Sequence, residues 1–313
     1  MTTDDRPDQL VAVLAPDGPR VLERDEPIVH ADDLGLTRGD GCFDATLVRR
    51  SGAGSTPAGE ADRLGATWTD RTGGFAVLNL ERHLARLARS AAGLDLAGVP
   101  DAAAWTDLLD AALERWTGTG DTMLKFVVGR GREERPAGPV AYLTLTQLGP
   151  GTLDQRAGIG VAALSRGTAS DTYVDVPWLL GGNKTIAYAL NMAAQREARS
   201  RGADDALWTT TDGWCLEGPT SGLVVLRDGV LTTVPTGATG ILASITVETL
   251  FEAAERDGLG TRHAMIRPAD LFEADASWLV SSVRGVAPIR TLDGADVPAD
   301  PEADARITAL SGF

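Results

Sequence analysis

The break at Gly149-Pro150-Gly151 limits what this chain can fold into more than any other feature. Proline has a fixed φ and no amide hydrogen, and the glycines beside it loosen the backbone, so no helix or strand runs through. Each half must then build its own core. Both halves mix strand-like and helix-like runs, which indicates an α/β (α+β) protein of two domains, residues 1–150 and 151–313. A chain of 313 residues with 43% hydrophobic side chains is large and apolar enough for both cores.

In the first half, residues 10–14 read as a strand, Pro16-Asp17-Gly18 as a turn and residues 21–29 as the partner strand. Residues 30–41 are a polar, glycine-containing loop, and residues 42–49 return to strand character. Residues 51–74 have a weak pattern and read as a long surface loop. Two amphipathic helices follow, over 80–94 and from Pro100-Asp101 to about Trp116. Residues 123–128 and 140–148 pair as strands around a tip that carries Arg130, Arg132 and Arg135. In the second half, residues 159–164, 205–209, 222–226, 230–234 and 277–283 read as strands, and 247–256 as a helix.

The net charge of -15, without a Lys/Arg-rich run, argues against a nucleic-acid surface and for a soluble protein with an acidic exterior. No apolar run approaches the roughly 18 residues of a membrane span. The start, Met1-Thr2-Thr3-Asp4-Asp5-Arg6-Pro7, is too acidic and polar for a signal peptide, so the expected location is the cytoplasm. Cys42 and Cys215 lack metal-ligand spacing and read as free thiols in that reducing compartment. Three histidines far apart in sequence do not suggest a metal site.

Lys184 stands alone among uncharged residues from Pro177 to Gln195. Pro177-Trp178-Leu179-Leu180-Gly181-Gly182 leads into it as an apolar turn. After it, Ile186, Ala189, Leu190, Ala193 and Ala194 recur at helical spacing, so Lys184 is expected at the mouth of a helix running to about Arg201. An apolar approach disfavours the ammonium, and a neutral lysine can form a Schiff base with an aldehyde. An ordinary surface lysine at a helix start fits the same stretch. Three more segments bear on the choice: Glu217-Gly218-Pro219-Thr220-Ser221, Gly240 through Thr246 just before a helix, and His83-Leu84-Ala85-Arg86-Leu87.

Together, in this order and at these separations, these segments resemble the class IV aminotransferase family, the fold-type IV pyridoxal-phosphate enzymes. Arg38-Gly39-Asp40-Gly41-Cys42-Phe43 is similar to the family's Gly-Asp-Gly-x-Phe signature, and the resemblance runs over residues 30–294. It implies a small N-terminal α/β domain, a larger C-terminal domain of mixed strands that carries the cofactor lysine, and a homodimer. It implies that Lys184 holds pyridoxal 5'-phosphate and shuttles the substrate's Cα proton, and that Glu217 faces the pyridine nitrogen and keeps it protonated. Arg86, the Ile245 and Thr246 amides and Ser282 would bind the phosphate, and Tyr188 the phenolic oxygen. Gly222 stands where the family often has asparagine.

Within the family, residues 124–131 and 281–288 are similar to segments of aminodeoxychorismate lyase, which converts 4-amino-4-deoxychorismate to 4-aminobenzoate and pyruvate. The Gly-Arg-Gly-Tyr common after the first of these is absent, replaced by Glu134-Arg135-Pro136-Ala137. The alternative is a D-amino acid or branched-chain aminotransferase acting with a 2-oxo acid. Arg38, Arg130 and Arg135 could hold a substrate carboxylate in either enzyme. A cofactor-binding protein without catalysis is a reading of another class, against which Lys184 and Glu217 both speak.

Overall fold

Strand alternation decides the first half of the chain. In the computed structural model, which describes residues 9–313 apart from 16, 24, 52–67 and 135–137, this half forms a seven-stranded antiparallel sheet. Its strands are β1 (Gln9–Ala15), β2 (Gly18–Leu22), β3 (Gly41–Arg50), β4 (Trp68–Thr69), β5 (Phe75–Val77), β6 (Thr122–Gly129) and β7 (Val140–Gln147), in the order β2-β1-β7-β6-β3-β5-β4. Successive side chains point to opposite faces, and the sequence alternates to match. Cys42, Asp44, Leu124, Phe126, Leu143 and Leu145 take the buried face. Two helices cover that face: α2 (Leu80–Gly93) packs on β3, and α3 (Ala102–Arg115) on β1 and β2. Trp105 of α3 meets Phe126 edge-on, with ring centroids 5.1 Å apart. A short helix, α1 (Leu34–Arg38), precedes β3; Asp33 caps its start and Gly39, with φ 68°, ends it.

The second half is a mixed sheet. Its strands are β8 (Ile159–Ser165), β9 (Asp205–Thr209), β10 (Gly222–Arg227), β11 (Val230–Thr233), β12 (Gly260–His263), β13 (Ala276–Ser281), β14 (Gly285–Leu292) and β15 (Ala295–Asp296). They run in the order β12-β11-β10-β13-β14-β8-β9, with β15 beside β14. Its helices are α4 (Pro150–Asp154), α5 (Ala189–Ser200), α6 (Ile245–Arg256) and α7 (Pro301–Leu310). Alternate side chains feed two cores. Val224, Trp278 and Val280 pack with Leu250 and Phe251 of α6 and Ile307 of α7. Leu223, Leu279, Ala287 and Ile289 point the other way, into a core shared with Ala194 and Ala198 of α5.

The chain divides between Gly149 and Pro150, but residues Asn183–Ala187 belong with the first unit. Lys184 was expected in the C-terminal domain at a helix mouth. Instead residues 183–187 form no helix, Thr185 bridges Cys42, and α5 begins only at Ala189. The cause is competition for backbone groups. Lys184 C=O accepts from Phe43 N–H at 3.0 Å, and Ile186 N–H donates to Gly41 C=O at 3.0 Å, so neither can serve a helix. The strand expected over 21–29 stops at Leu22. The long loop expected over 51–74 lies largely outside the described residues, and its end forms the β4-β5 hairpin. The C-terminal strand β14 and helix α7 were not expected.

Gly41 is where the segment 183–187 and β6 both crowd the backbone. A Cβ there would lie 2.5 Å from the Val128 carbonyl oxygen and 2.9 Å from Ile186 Cδ1. Gly41→Ala should therefore destabilise the protein by about 1–3 kcal/mol, as overpacking does. Chemical denaturation measures this, and an unchanged midpoint would contradict the close approach.

Candidate active site

The site residues are best taken unit by unit. In the first, the backbone of Lys184 is fixed on both sides. Its N–H donates to Ser90 Oγ on α2 at 3.1 Å, its carbonyl is taken by β3, and Thr185 bridges Cys42. The side chain then reaches the ring of Phe43, with Nζ 4.6 Å from the centroid. A cation at that distance is attracted by the ring's negative face.

On the other face of β3, Asp44 is fully buried between two side chains of α2 spaced one turn apart. Arg86 donates from Nε to Oδ2 and from Nη2 to Oδ1, both at 2.8 Å. His83 Nδ1 lies 2.7 Å from Oδ1, and the Ala45 amide donates to the same oxygen at 2.8 Å. Burial alone would push the Asp44 carboxyl up. The hydrogen bonds and charge of Arg86, with His83, outweigh it and hold the group well below the usual carboxylate range. Burial keeps His83 below its ordinary value against the pull of Asp44. Its Nε2 is buried without a hydrogen-bond partner among the described residues.

The arginines expected to hold a substrate carboxylate fare differently. Arg130 clamps other groups: it pairs with Asp40 through Nε at 2.5 Å and donates to the carbonyls of Leu94 and Asp95, just beyond the end of α2. A cation there meets the helix's unsatisfied carbonyls and its negative dipole end. Arg38 is exposed in the last turn of α1. Arg135 lies outside the described residues.

In the second unit, the Asp212-Gly213 turn folds residues 215–217 back beside β9. Leu216 and Glu217 exchange backbone hydrogen bonds with Trp208 at 2.8 and 3.0 Å. The Gly218-Ser221 turn closes at 2.7 Å. Glu217 Oε1 accepts the Leu242 amide at 3.2 Å. Tyr188 Oη donates to the Pro219 carbonyl at 3.1 Å, and Asn191 Nδ2 donates to the same oxygen at 2.5 Å.

At the start of α6, Ser244 caps the helix by accepting the Val247 amide at 3.4 Å. The Ile245 and Thr246 amides, which precede it, have no acceptor among the described residues. Both residues are nearly buried, 2% and 4% exposed. The Thr246 and Ser282 hydroxyls are 2.8 Å apart beside them. Two unpaired amides, two hydroxyls and the positive end of a twelve-residue helix make a donor set suited to an anion. Gly222 explains its own identity: a Cβ there would lie 2.9 Å from Val247 Cγ2 of α6, so a side chain would displace that helix start.

Sequence reasoning missed Asp44 and Asp205. Arg284, read as part of a lyase-like segment, is buried and donates to Asp205 at 2.8 Å and to Ser221 at 3.1 Å, bracing the Gly218-Ser221 turn. The available signal for Asp44 was a carboxylate in an inward position of an otherwise apolar strand, where burial demands a cation.

Three comparisons bear on this geometry. The sequence profile described as Amino-transferase class IV matches residues 69–292. A bifunctional aminodeoxychorismate lyase / D-amino acid transaminase of Mycobacterium tuberculosis is 35% identical over 295 residues, spanning 91% of this chain and 92% of its own. A D-alanine aminotransferase of Bacillus licheniformis is 25% identical over 88% of this chain and 87% of its own. Among solved structures, a fold IV transaminase from Curtobacterium pusillum is 35% identical over 97% of both chains, with a TM-score of 0.82. A hypothetical aminotransferase from Mycobacterium tuberculosis in its PLP-bound form is 34% identical over 96% of this chain and 97% of its own, with a TM-score of 0.83.

The Asp44 arrangement has a measurable consequence. Asp44→Asn leaves the Arg86 charge buried without its counter-ion, which should cost about 3–5 kcal/mol of stability. The folded carboxyl is held low, so its contribution is complete above the ordinary carboxylate range, about pH 4, and is lost only as pH falls toward the folded value. The stability gap between wild type and variant, measured by denaturant titration, should be flat from about pH 5 to 8 and shrink below about pH 4.

Proposed function

The chain belongs to the amino-transferase class IV family, and from that premise we propose that it is an aminodeoxychorismate lyase forming 4-aminobenzoate and pyruvate. It is a pyridoxal-phosphate-dependent enzyme. What carries the lyase reading is its likeness, across nearly the whole chain, to the bifunctional Mycobacterium tuberculosis protein. The same observation favours a second reading, transamination of D-amino acids, through the same lysine.

The residues fit the cofactor. The unpaired Ile245 and Thr246 amides, with the Thr246 and Ser282 hydroxyls, would receive its phosphate. Arg86 would add charge to that phosphate, with Asp44 fixing the plane of its guanidinium. Glu217, steadied by the Leu242 amide, would accept a proton-bearing ring nitrogen. Tyr188, whose hydroxyl here donates to the Pro219 carbonyl, would turn that donor to the phenolic oxygen. When bound, pyridoxal phosphate accepts the electrons released as a substrate's Cα–H bond breaks. Lys184 would hold the cofactor through Nζ, and its free amine would take the substrate's Cα proton as general base. The backbone bonds from β3 and Ser90 keep that nitrogen within a short arc. For elimination, the site must hold the breaking C–O bond aligned while water is excluded. For transamination, it must admit a 2-oxo acid and grip its carboxylate, for which Arg38 and Arg135 are the candidates.

The functional unit in this reading is a cytoplasmic homodimer. Supporting it, Trp178 and Val174 are 71% and 53% exposed, more apolar surface than a lone surface turn needs. Both thiols are buried and pushed up to about 12 by that burial, which leaves them inert. No helix among the described residues is long and apolar enough to cross a membrane. Sedimentation at micromolar concentration checks the dimer.

Two further expectations follow from these roles. Lys184→Ala should lower turnover on the order of 10⁴-fold or more, about 5.5 kcal/mol of barrier, while the fold survives. A borohydride-fixed cofactor in that variant would assign the role to another amine. Second, aminodeoxychorismate should give 4-aminobenzoate and pyruvate in equal amounts with no amino acceptor present. If only D-amino acids with 2-oxo acids turn over, the transaminase reading replaces the lyase.

A further inference from the structure

The hairpin turn Ser282-Val283-Arg284, between β13 and β14, serves two places in the second unit. Ser282 Oγ lies 2.8 Å from Thr246 Oγ1, at the donor set on the start of α6. Arg284 is buried and braces the turn that follows Glu217 through Asp205 and Ser221. The shape of three residues thus decides where the Ser282 hydroxyl stands.

Two residues remote in sequence hold that shape. Arg156 donates from Nε to the Arg284 carbonyl at 2.7 Å and from Nη2 to the Val283 carbonyl at 3.4 Å. A guanidinium is planar and rigid, so one fork on two successive carbonyls restricts the peptide planes between them. The preceding residue, Gln155, accepts from Arg284 Nη1 at 3.1 Å. Residues 155 and 156 therefore grip Arg284 by its side chain and its backbone together.

Phe313 completes this clasp. It lies just beyond α7, and its N–H donates to the Thr308 carbonyl at 3.1 Å. The edge of its ring rests on Gly285, where a Cβ would lie 2.7 Å from Phe313 Cδ1. Its centroid is 5.6 Å from the Arg156 guanidinium carbon, within reach of the ring's attraction for a cation. Gly285 has a φ of 87°, so glycine there suits the turn and the ring at once. Hydrogen bonds weaken steeply as distance and angle degrade, so a small shift of the turn is enough to spoil a bond from Ser282.

We propose that Arg156 and Phe313 are positioning residues for the cofactor's phosphate: together they set the turn that presents Ser282 to it. This rests on the reading above that the start of α6, with Ser282, receives the phosphate. Both residues act through the turn.

The test measures binding of pyridoxal 5'-phosphate and of pyridoxal, which lacks the phosphate, to the full chain stripped of cofactor. The quantity read is the ratio of the two affinities. A general loss of stability, followed separately by denaturant titration, weakens both aldehydes alike and leaves the ratio unmoved. Ser282→Ala should lower the ratio roughly tenfold, the worth of one hydrogen bond to a charged group. Arg156→Met and Phe313→Ala should each lower it by roughly threefold to tenfold, since they loosen that bond and do not delete it. Arg156→Lys and Phe313→Leu should lower it less, and they carry the same comparison if the larger truncations do not fold. In a Ser282→Ala background, the Arg156 and Phe313 substitutions should have no further effect on the ratio, because the bond they act on is gone. A ratio that stays at the wild-type value in the Arg156 and Phe313 variants, or that they lower again in Ser282→Ala, overturns the inference and leaves the phosphate reading standing. A wild-type ratio in Ser282→Ala itself overturns the reading of Ser282 as a phosphate ligand, and the inference falls with it.

Discussion

The pairing of residues 183–187 with the start of β3 is the constraint from which the first unit's chemistry follows. Two backbone hydrogen bonds at 3.0 Å replace the helix that the local sequence favours. Each is worth only about 1 kcal/mol net, but leaving the groups buried and unpaired would cost more. The pairing requires a bare backbone opposite it. Gly39 and Gly41 supply that: a Cβ on Gly39 would lie 3.1 Å from Ala187 Cβ, and its φ of 68° also favours glycine. The Gly-Asp-Gly signature is thus a steric requirement of the lysine's own strand. Its Asp40 anchors Arg130, which ties the end of α2 to the same place.

Among the described residues, two Arg–Asp pairs are buried on both sides, one in each unit, and each orients something. In the first unit, Asp44 sets the plane of Arg86; in the second, Asp205 and Ser221 set that of Arg284, which in turn braces the turn after Glu217. Buried ion pairs add little net stability, because desolvation offsets most of their attraction. Their yield is geometry: a guanidinium held in one plane, or a turn held in one shape, does not have to be ordered when a ligand arrives.

The strands were legible as short apolar runs bounded by turn residues. Residues 205–209 and 123–128 match β9, which is buried on both faces, and the interior of β6. The helix at Lys184 was misplaced for a physical reason. Its apolar spacing is genuine from Ala189 onward, but whether residues 183–187 join it depends on a partner some 140 positions away in sequence, near Gly41 and Phe43. Periodicity carries no information about such a partner. Pro288 stands inside β14 opposite Trp278 of β13, while pairing with β8 begins only at Ile289. Of the site, the Glu217 turn and the α6 start were readable as a turn and a cap; Asp44 was not, because its partners come from α2.

The use of lysine sharpens what remains. Arginine stays charged in any protein environment and grips carboxylates in a plane, which suits the pairs formed by Arg86, Arg130 and Arg284. It cannot serve as a base or a nucleophile. Lysine can, provided its surroundings permit the neutral amine. A chain that places arginine at nearly every cationic position and lysine at two, both against Phe43, has concentrated its adaptable amines in one neighbourhood. Burial in that neighbourhood disfavours the Lys125 ammonium.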